Sequence, residues 1–159
     1  MTSAEQDRAD PLAGFTPFAR LSPAQRARVA ATARPASYPE GTRLFDEGQD
    51  AKGCWLIQTG QVALQSDVTG RGPVTVHTLG PGDMLGWSWL VPPHHWHFTA
   101  TAHTPVSAIA VDTVALRTLA DGDPALGYPL LLGILEAALS RLQSTRWRLL
   151  DLYGSPHAR

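Results

Sequence analysis

The residues best suited to chemistry lie between Leu79 and Ala102, in the segment LGPGDMLGWSWLVPPHHWHFTATA. Tryptophans and histidines stand close together there: Trp87, Trp89, Trp96, His94, His95 and His97. Tryptophan rings stack on flat ligands, and an imidazole forms a hydrogen bond or, when protonated, carries a positive charge. The segment therefore predicts a binding site for a small molecule.

The same histidines allow a second interpretation, a metal site. His95 and His97 share one face of an extended segment, and two imidazoles on one face can hold a metal ion. A jelly roll with such a strand is similar to a cupin, but a cupin also needs a nearby carboxylate. No Asp or Glu stands between Met84 and Asp112. Cupin-like metal binding is kept as an alternative, and no residue is assigned as a metal ligand.

Glycines and prolines determine which elements carry these side chains. Gly80, Gly82 and Gly86 allow turns, whereas Pro92 and Pro93 end any helix that begins after the last of these glycines. The expected order is a strand, a turn, one helical turn at 87–91, a loop and a second strand. The first N–H groups of a helical turn are unpaired and suit an anion.

Short strands separated by Gly, Pro and Asp turns are expected from residue 36 to residue 112. This spacing is typical of a double-sheet β-roll, or jelly roll. The predicted strands are Ala36–Tyr38, Arg43–Asp46, Cys54–Thr59, Gln61–Ser66, Val74–Leu79, Met84–Leu85, Thr99–Ala102 and Ser107–Val111, with a hairpin tip at Thr69–Gly72. The predicted fold class is α+β, a roll flanked by an N-terminal helix and a long C-terminal helix.

Capping signals define the helices. Ser22 and Pro23 open the first helix, and Asp112 caps a second at Thr113–Asp121. The expected domains are a flexible tail at 1–20, the roll at 21–128, a long dimerisation helix at 129–153 and a tail at 154–159.

The long helix carries a heptad pattern. Its apolar positions follow one another in alternating steps of four and three residues: Leu131, Leu135, Ala138, Leu142, Thr145, Leu149 and Leu152. A helix that packs only on its own domain usually shows a wider apolar stripe. We therefore expect these residues, called the heptad seam below, to form the interface of a homodimer.

Composition excludes several classes of protein. The chain has 159 residues, 43% of them hydrophobic, and a net charge of −1, which gives no basic field for nucleic acid. The polar first residues predict no signal peptide, and the longest apolar run, near Leu130–Leu135, is too short to span a membrane. No nucleophile–base set or GxxxxGK loop is present. We expect a cytoplasmic protein that is not an enzyme.

Three motifs together resemble the cyclic nucleotide-binding domain of the CRP/FNR family. They are GTRLFDEG at Gly41–Gly48, WLIQTGQVAL at Trp55–Leu64 and GPGD at Gly80–Asp83, and the resemblance covers about residues 21–153. It implies a regulatory sensor domain that forms a homodimer through the long helix. It also implies a ligand-binding cassette, which here comprises Gly86, Trp87, Ser88, His95, Trp96, His97, Thr99 and Ala100, and a contact from Thr145.

The cassette departs from the family pattern at the two positions that recognise a cyclic nucleotide. The family glutamate that holds the ribose 2′-hydroxyl is Trp87 here. The family arginine that pairs with the cyclic phosphate falls on Trp96, or on His95 if the loop shifts by one residue. The expected ligand is a nucleotide-like small molecule but not cAMP in the usual mode. Alternatively, the tryptophans plug the pocket and leave a ligand-free interaction module.

The family's regulators continue into a winged helix-turn-helix. Only residues 154–159 follow the long helix here, too few for a DNA-binding module. The expectation is therefore no direct DNA binding, and a signal that passes through the long helix to a partner protein.

Overall fold

A computed structural model describes residues 10–154 of the chain. The helices are a 3₁₀ helix at Thr16–Phe18, α1 at Pro23–Ala30, α2 at Thr113–Gly122 and α3 at Pro124–Gly154. The strands are β1 (Ala33–Tyr38), β2 (Arg43–Phe45), β3 (Cys54–Thr59), β4 (Val62–Val68), β5 (Gly72–Leu79), β6 (Met84–Leu85), β7 (Thr99–Ala102) and β8 (Val106–Val111).

The strands form two antiparallel four-stranded sheets with the orders β1-β8-β3-β6 and β2-β7-β4-β5. This is the expected α+β architecture, a β-roll with a helix before it and a long helix after it. The hairpin between β4 and β5 closes at the predicted tip, where Val68 faces Gly72. The bounds of β3, β6 and β7 are those predicted, whereas β1 begins three residues earlier than expected, at Ala33.

The core of the roll fills the space between the two sheets. Leu56, Ile57, Val62 and Leu79 are fully buried there. Cys54 is buried with them, and desolvation raises the pKa of its thiol to about 12. A thiol with such a pKa is protonated at neutral pH and therefore unreactive.

Residues 10–20 differ from the expected flexible tail. Leu12 and Phe18 are buried, and the 3₁₀ helix packs on α3 so closely that a Cβ at Gly133 would collide with the backbone of Pro17. Asp10 is anchored as well, because its carboxylate accepts a hydrogen bond from Arg26 at 2.7 Å. The apolar side chains in this segment cover the roll, which a polar tail could not do. Residues 1–9 and 155–159 lie outside the described part of the chain.

The caps of the first two helices are confirmed. Ser22 and Gln25 form a reciprocal capping box at the start of α1. At the start of α2, one carboxylate oxygen of Asp112 accepts hydrogen bonds from the backbone N–H groups of Val114 and Ala115.

The long helix begins at Pro124 and not at the expected residue 129. Asp123 accepts a hydrogen bond from the N–H of Ala125 and so acts as its cap. Pro129 lies inside the helix and has no N–H to offer the carbonyl of Ala125. The side chain of Gln25 donates to that carbonyl at 3.1 Å, which satisfies it and ties α1 to α3.

Helix α3 is long and apolar enough to cross a membrane when judged by length and composition alone, with a mean hydropathy of 1.3 over its most apolar window. Its first half is partly covered by the rest of the protein, because Leu126, Leu130 and Ile134 are buried. Leu139, further along the helix, is exposed. The second half is exposed almost throughout.

Candidate functional site

A cavity of about 260 Å³ opens between the roll and α3. Strands β2, β4, β5 and β6, the segment 86–98 (the cassette loop below) and α3 all contribute to it. Its walls are Phe45, Leu64, Val76, His77, Leu85, Gly86, Trp87, Ser88, Trp96, His97, Phe98, Arg141 and Thr145. The cavity is lined mainly by aromatic and aliphatic groups, and it is slightly smaller than the ~300 Å³ at the lower end of ordinary ligand sites.

The first part of the cassette loop is a single turn and not the helical turn expected at 87–91. The N–H of Leu90 donates to the carbonyl of Trp87 at 3.0 Å, and no further helical bond continues it. The indole N–H of Trp89 donates to the carbonyl of Gly86, also at 3.0 Å, and its ring is buried. The loop therefore has no helix N-terminus that could receive an anion.

Trp96 is part of the core of the roll and forms one wall of the cavity. Its ring stacks on Phe45, with the centroids 3.9 Å apart and the planes inclined by 15°. Gly86 has a φ of +91°, and a Cβ there would lie 2.9 Å from the Trp96 ring. The absence of a side chain at Gly86 thus allows the indole to fill the position where the family pattern predicts an arginine.

Trp87 is half-buried and carries a cation on its face. The guanidinium carbon of Arg141, from α3, lies 4.0 Å from the Trp87 ring centroid. The same guanidinium donates a hydrogen bond to the carbonyl of Met84. An arginine therefore does reach the cassette, but from the long helix and not from the cassette itself.

Arg141 was not among the site residues predicted from the sequence. A signal was available, because Arg141 precedes Thr145 by four residues, and residues at this spacing lie on one face of a helix. Since Thr145 was expected at the ligand, Arg141 had to be close to it.

Arg141 gives the cavity a positive charge. Burial lowers the pKa of Arg141 to about 10, an effect that the nearby Asp83 carboxylate opposes, so the guanidinium stays charged at neutral pH. Burial also lowers the pKa of His77 below 6.5, and the charges of Arg141 and Arg148 lower it further while Asp83 opposes them. His77 is therefore neutral at pH 7. Among residues 10–154, no carboxylate lines the cavity.

The structure brings most of the predicted ligand-binding residues together. Six of them line the cavity: Gly86, Trp87, Ser88, Trp96, His97 and Thr145. Thr145 also donates its hydroxyl proton to the carbonyl of Arg141 at 3.0 Å, so towards a ligand it is left as an acceptor.

The other three predicted residues do not line the cavity. His95 lies at the surface with its Nδ1 3.2 Å from the Asp50 carboxylate. Thr99 accepts a hydrogen bond from the N–H of Glu47 at 3.0 Å, which ties β7 to the turn after β2. Ala100 is buried in β7. These residues support the loop without facing the cavity.

The two histidines proposed as metal ligands lie in different surroundings. His97 lines the cavity, whereas His95 contacts Asp50. Across residues 10–154, no group of three or more His, Cys, Asp or Glu side chains is placed to hold a metal ion.

The heptad seam lies mostly on the outside of α3. Leu131 and Leu135 are each 53% exposed, and Leu142 is 46% exposed. Leu149, Leu152 and Thr145 are exposed as well, and Ala138 is half-buried. Soluble domains rarely leave so long an apolar stripe uncovered, so it is a candidate interaction surface.

Comparisons with known proteins agree with this geometry. The sequence profile of the cyclic nucleotide-binding domain family matches residues 35–123. A candidate cyclic nucleotide-binding protein from Geobacter metallireducens GS-15 has 30% identity and a TM-score of 0.73, over 89% of this chain and 99% of that one. The Thermus thermophilus catabolite activator protein has a similar fold, with 23% identity and a TM-score of 0.66 over 87% of this chain and 63% of that one.

The chain is also similar to a transcriptional regulator. The CRP-like cAMP-activated global transcriptional regulator of Mycobacterium tuberculosis is 27% identical over 135 residues, which are 85% of this chain and 58% of the regulator. The match therefore spans a little over half the length of that relative. With the family profile matching more than half of this chain and the β-roll and its long helix in place, the chain belongs to the cyclic nucleotide-binding domain family.

Proposed function

We propose that this chain is a non-catalytic, homodimeric sensor domain of the cytoplasm. It binds a small ligand in the cavity between the roll and α3, and it passes the signal through α3 to a partner protein. The observation that carries this proposal is that one helix forms a wall of the cavity and also bears the exposed heptad seam.

The residues of α3 provide a short route from ligand to interface. Arg141 lines the cavity, and the next residue, Leu142, belongs to the seam. Thr145 belongs to both. A ligand that contacts Arg141 or Thr145 more favourably in one position of the helix shifts the population towards that position. The dimer, or a partner protein bound to it, then senses that shift.

The ligand we propose is not cAMP in the usual mode. That mode places a carboxylate on the ribose and a cassette arginine on the phosphate; in the family resemblance the first position falls on Trp87 and the second on Trp96, or on His95 if the loop shifts by one residue. Trp96 is buried against Phe45, and no carboxylate from the described part of the chain lines the cavity. The cAMP activation named for the Mycobacterium tuberculosis relative is a property of that protein.

A ligand-free interaction module is the second candidate. It is favoured by the buried indole of Trp96, which fills part of the space that a cassette arginine would leave open. The remaining 260 Å³ argues against it, since a fully plugged pocket would leave no such volume. A cupin-like metal protein has no comparable support among residues 10–154.

A thermal-shift screen with nucleotides and small metabolites tests the proposal. Val76 and Val74 are exposed valines on β5, and of these two only Val76 lines the cavity. A true cavity ligand raises the Tm of the wild type and of Val74→Trp but not of Val76→Trp, whose indole blocks the cavity. At a hundredfold excess over Kd, the stabilisation is about 2.7 kcal/mol. If no compound raises the Tm and the protein is still a dimer, the interaction module replaces the sensor.

A further inference from the structure

We propose that the cavity takes a small aromatic monocarboxylate, whose carboxylate pairs with Arg141 while its ring lies against the aromatic and aliphatic walls. This inference rests on the proposed function, because it names the class of ligand for the same cavity. Under this proposal, the anion is recognised by Arg141 of the long helix and not by an arginine of the cassette.

The guanidinium of Arg141 is available to pair with a carboxylate. Within residues 10–154, it forms no ion pair, and its hydrogen bond goes to the backbone carbonyl of Met84. A guanidinium has five N–H donors in a planar fork that matches a carboxylate. A half-buried cation supported by one carbonyl and the face of Trp87 has unused N–H donors, and the nearby Asp83 carboxylate acts on its charge without forming an ion pair with it within residues 10–154.

The cavity carries the positive charge of Arg141. Among the lining residues in the described part of the chain, Arg141 is the one Arg, Lys, Asp or Glu side chain, so a single negative charge on the ligand pairs with the one guanidinium of the site. Asp83 influences Arg141, but it does not line the cavity, and its carboxylate accepts a hydrogen bond from the N–H of Gly80 at 2.8 Å. A cationic or neutral polar ligand would leave the guanidinium unbalanced.

The walls of the cavity are mainly apolar. Leu64, Trp96 and Leu85 form buried apolar walls, and Val76 and Phe98 are apolar side chains still 47% and 38% exposed. A flat apolar body would cover these groups and remove them from water. The volume of about 260 Å³ limits the ligand to a compact molecule.

A polar groove on the other side of Arg141 is the competing anion site. It has a volume of about 280 Å³, and Arg141, Arg148, His77 and Asp83 contribute to its walls. Arg148 lines this groove but not the cavity. Arg148 therefore provides a matched control, one heptad further along the same helix.

Calorimetric titration tests the inference with benzoate, phenylacetate and indole-3-acetate, each paired with its uncharged amide. The proteins are the full-length wild type, Arg141→Gln, Arg141→Lys and Arg148→Gln, each first checked for folding by circular dichroism. We expect at least one acid to bind the wild type and Arg148→Gln equally, at least tenfold more tightly than its amide. Arg141→Gln should lose at least tenfold in affinity for that acid and not for the amide, and Arg141→Lys should lie between.

Other outcomes overturn the inference. Equal binding of acid and amide, or acid binding that survives Arg141→Gln, removes the carboxylate from the recognition. A loss in Arg148→Gln comparable to that in Arg141→Gln moves the anion to the polar groove. If no acid binds at millimolar concentration while the thermal-shift screen finds another cavity ligand, only the ligand class is wrong. If the screen also finds nothing, the sensor proposal itself fails.

Discussion

The guanidinium of Arg141 lies 4.0 Å from the ring centroid of Trp87, and this contact joins the long helix to the cassette loop. In the family pattern, position 87 carries the carboxylate that holds the ligand's ribose. Here position 87 is a tryptophan, and its ring contacts Arg141 of α3. This contact therefore connects the cassette loop to the long helix, and under the proposed function a ligand acts by changing it.

A double-mutant cycle measures this contact. Trp87→Ala, Arg141→Ala and the double variant should show a coupling energy of about 0.5–2 kcal/mol in urea unfolding, the range for cation–π pairs that are partly desolvated. The control cycle pairs Trp87→Ala with Arg148→Ala, which should be additive because Arg148 does not contact the Trp87 ring. Additivity in both cycles would mean that the Arg141 contact contributes nothing to stability.

Trp96 should be required for folding stability. Trp96→Ala removes a 5% exposed ring that stacks on Phe45, and we expect it to reduce the free energy of unfolding by about 3–5 kcal/mol. Trp96→Arg, which restores the residue of the family pattern, should be destabilising as well, since it buries a cation among aromatic rings. Trp147→Ala, at a 67% exposed position, serves as the control and should stay within about 0.5 kcal/mol. A Trp96→Ala protein as stable as wild type would refute this assignment of Trp96 to the core.

If the heptad seam forms a dimer interface, one charge introduced into the seam should dissociate the dimer. Leu142→Glu places a carboxylate in the middle of the seam and should shift the protein to monomers in analytical ultracentrifugation, because burying that charge is costly. Gln143→Glu adds the same charge one position away from the seam and should leave the dimer intact. A monomeric wild type, or a Leu142→Glu dimer as tight as wild type, would exclude the seam as the interface.

The lowered pKa of Asp123 predicts that the folded protein loses stability at acid pH. A hydrogen bond from Arg28 lowers the pKa of Asp123 below its usual 3.8, and the Arg28 charge and backbone N–H groups at the start of α3 add to this effect. A depressed pKa in the folded state means that the stabilisation is present above the unfolded pKa. It is then lost as the pH falls through the folded pKa.

The matched variants are Asp123→Asn and Asp121→Asn, both near the α2–α3 junction. At pH 7, Asp123→Asn should lower the Tm, and its difference from wild type should shrink as the pH falls below about 4. Asp121→Asn removes an exposed pair with Arg117 and should have little effect at either pH. A Tm difference for Asp123→Asn that is the same at pH 7 and pH 3 would exclude the proposed linkage.

The parts of the fold that depend on local patterns could be predicted from the sequence. The bounds of β3 and β7 follow from short apolar runs between turn residues, and the caps at Ser22 and Asp112 are signals of a few residues. The start of α3 depends on equally local residues, Gly-Asp-Pro at 122–124, but the sequence predicted the long helix only from residue 129. In the structure, Asp123 caps the helix and Pro124 is its first residue, so the same residues end one helix and begin the next.

The composition of the cavity could be predicted only in part. Trp87, Trp96 and His97 were identified because they belong to one segment, the cassette loop. Arg141 was not, since it lies 54 residues beyond Trp87, and its position depends on which face of α3 packs against the roll. The same limitation applies to Leu12, whose burial depends on contacts made after the roll and α3 have assembled.

Calorimetric titration of cAMP into the wild type and Arg141→Gln most directly tests the central claim, that anion recognition has moved from the cassette to the long helix. The walls that the described residues form offer no carboxylate for the ribose, and the cassette loop contains no arginine for the phosphate. We therefore predict no saturable heat in the usual micromolar range, and any weak binding to the wild type should disappear in Arg141→Gln. Tight, saturable binding of cAMP with the same Kd in both proteins would contradict the account, because it would show that the cassette still recognises the phosphate without Arg141.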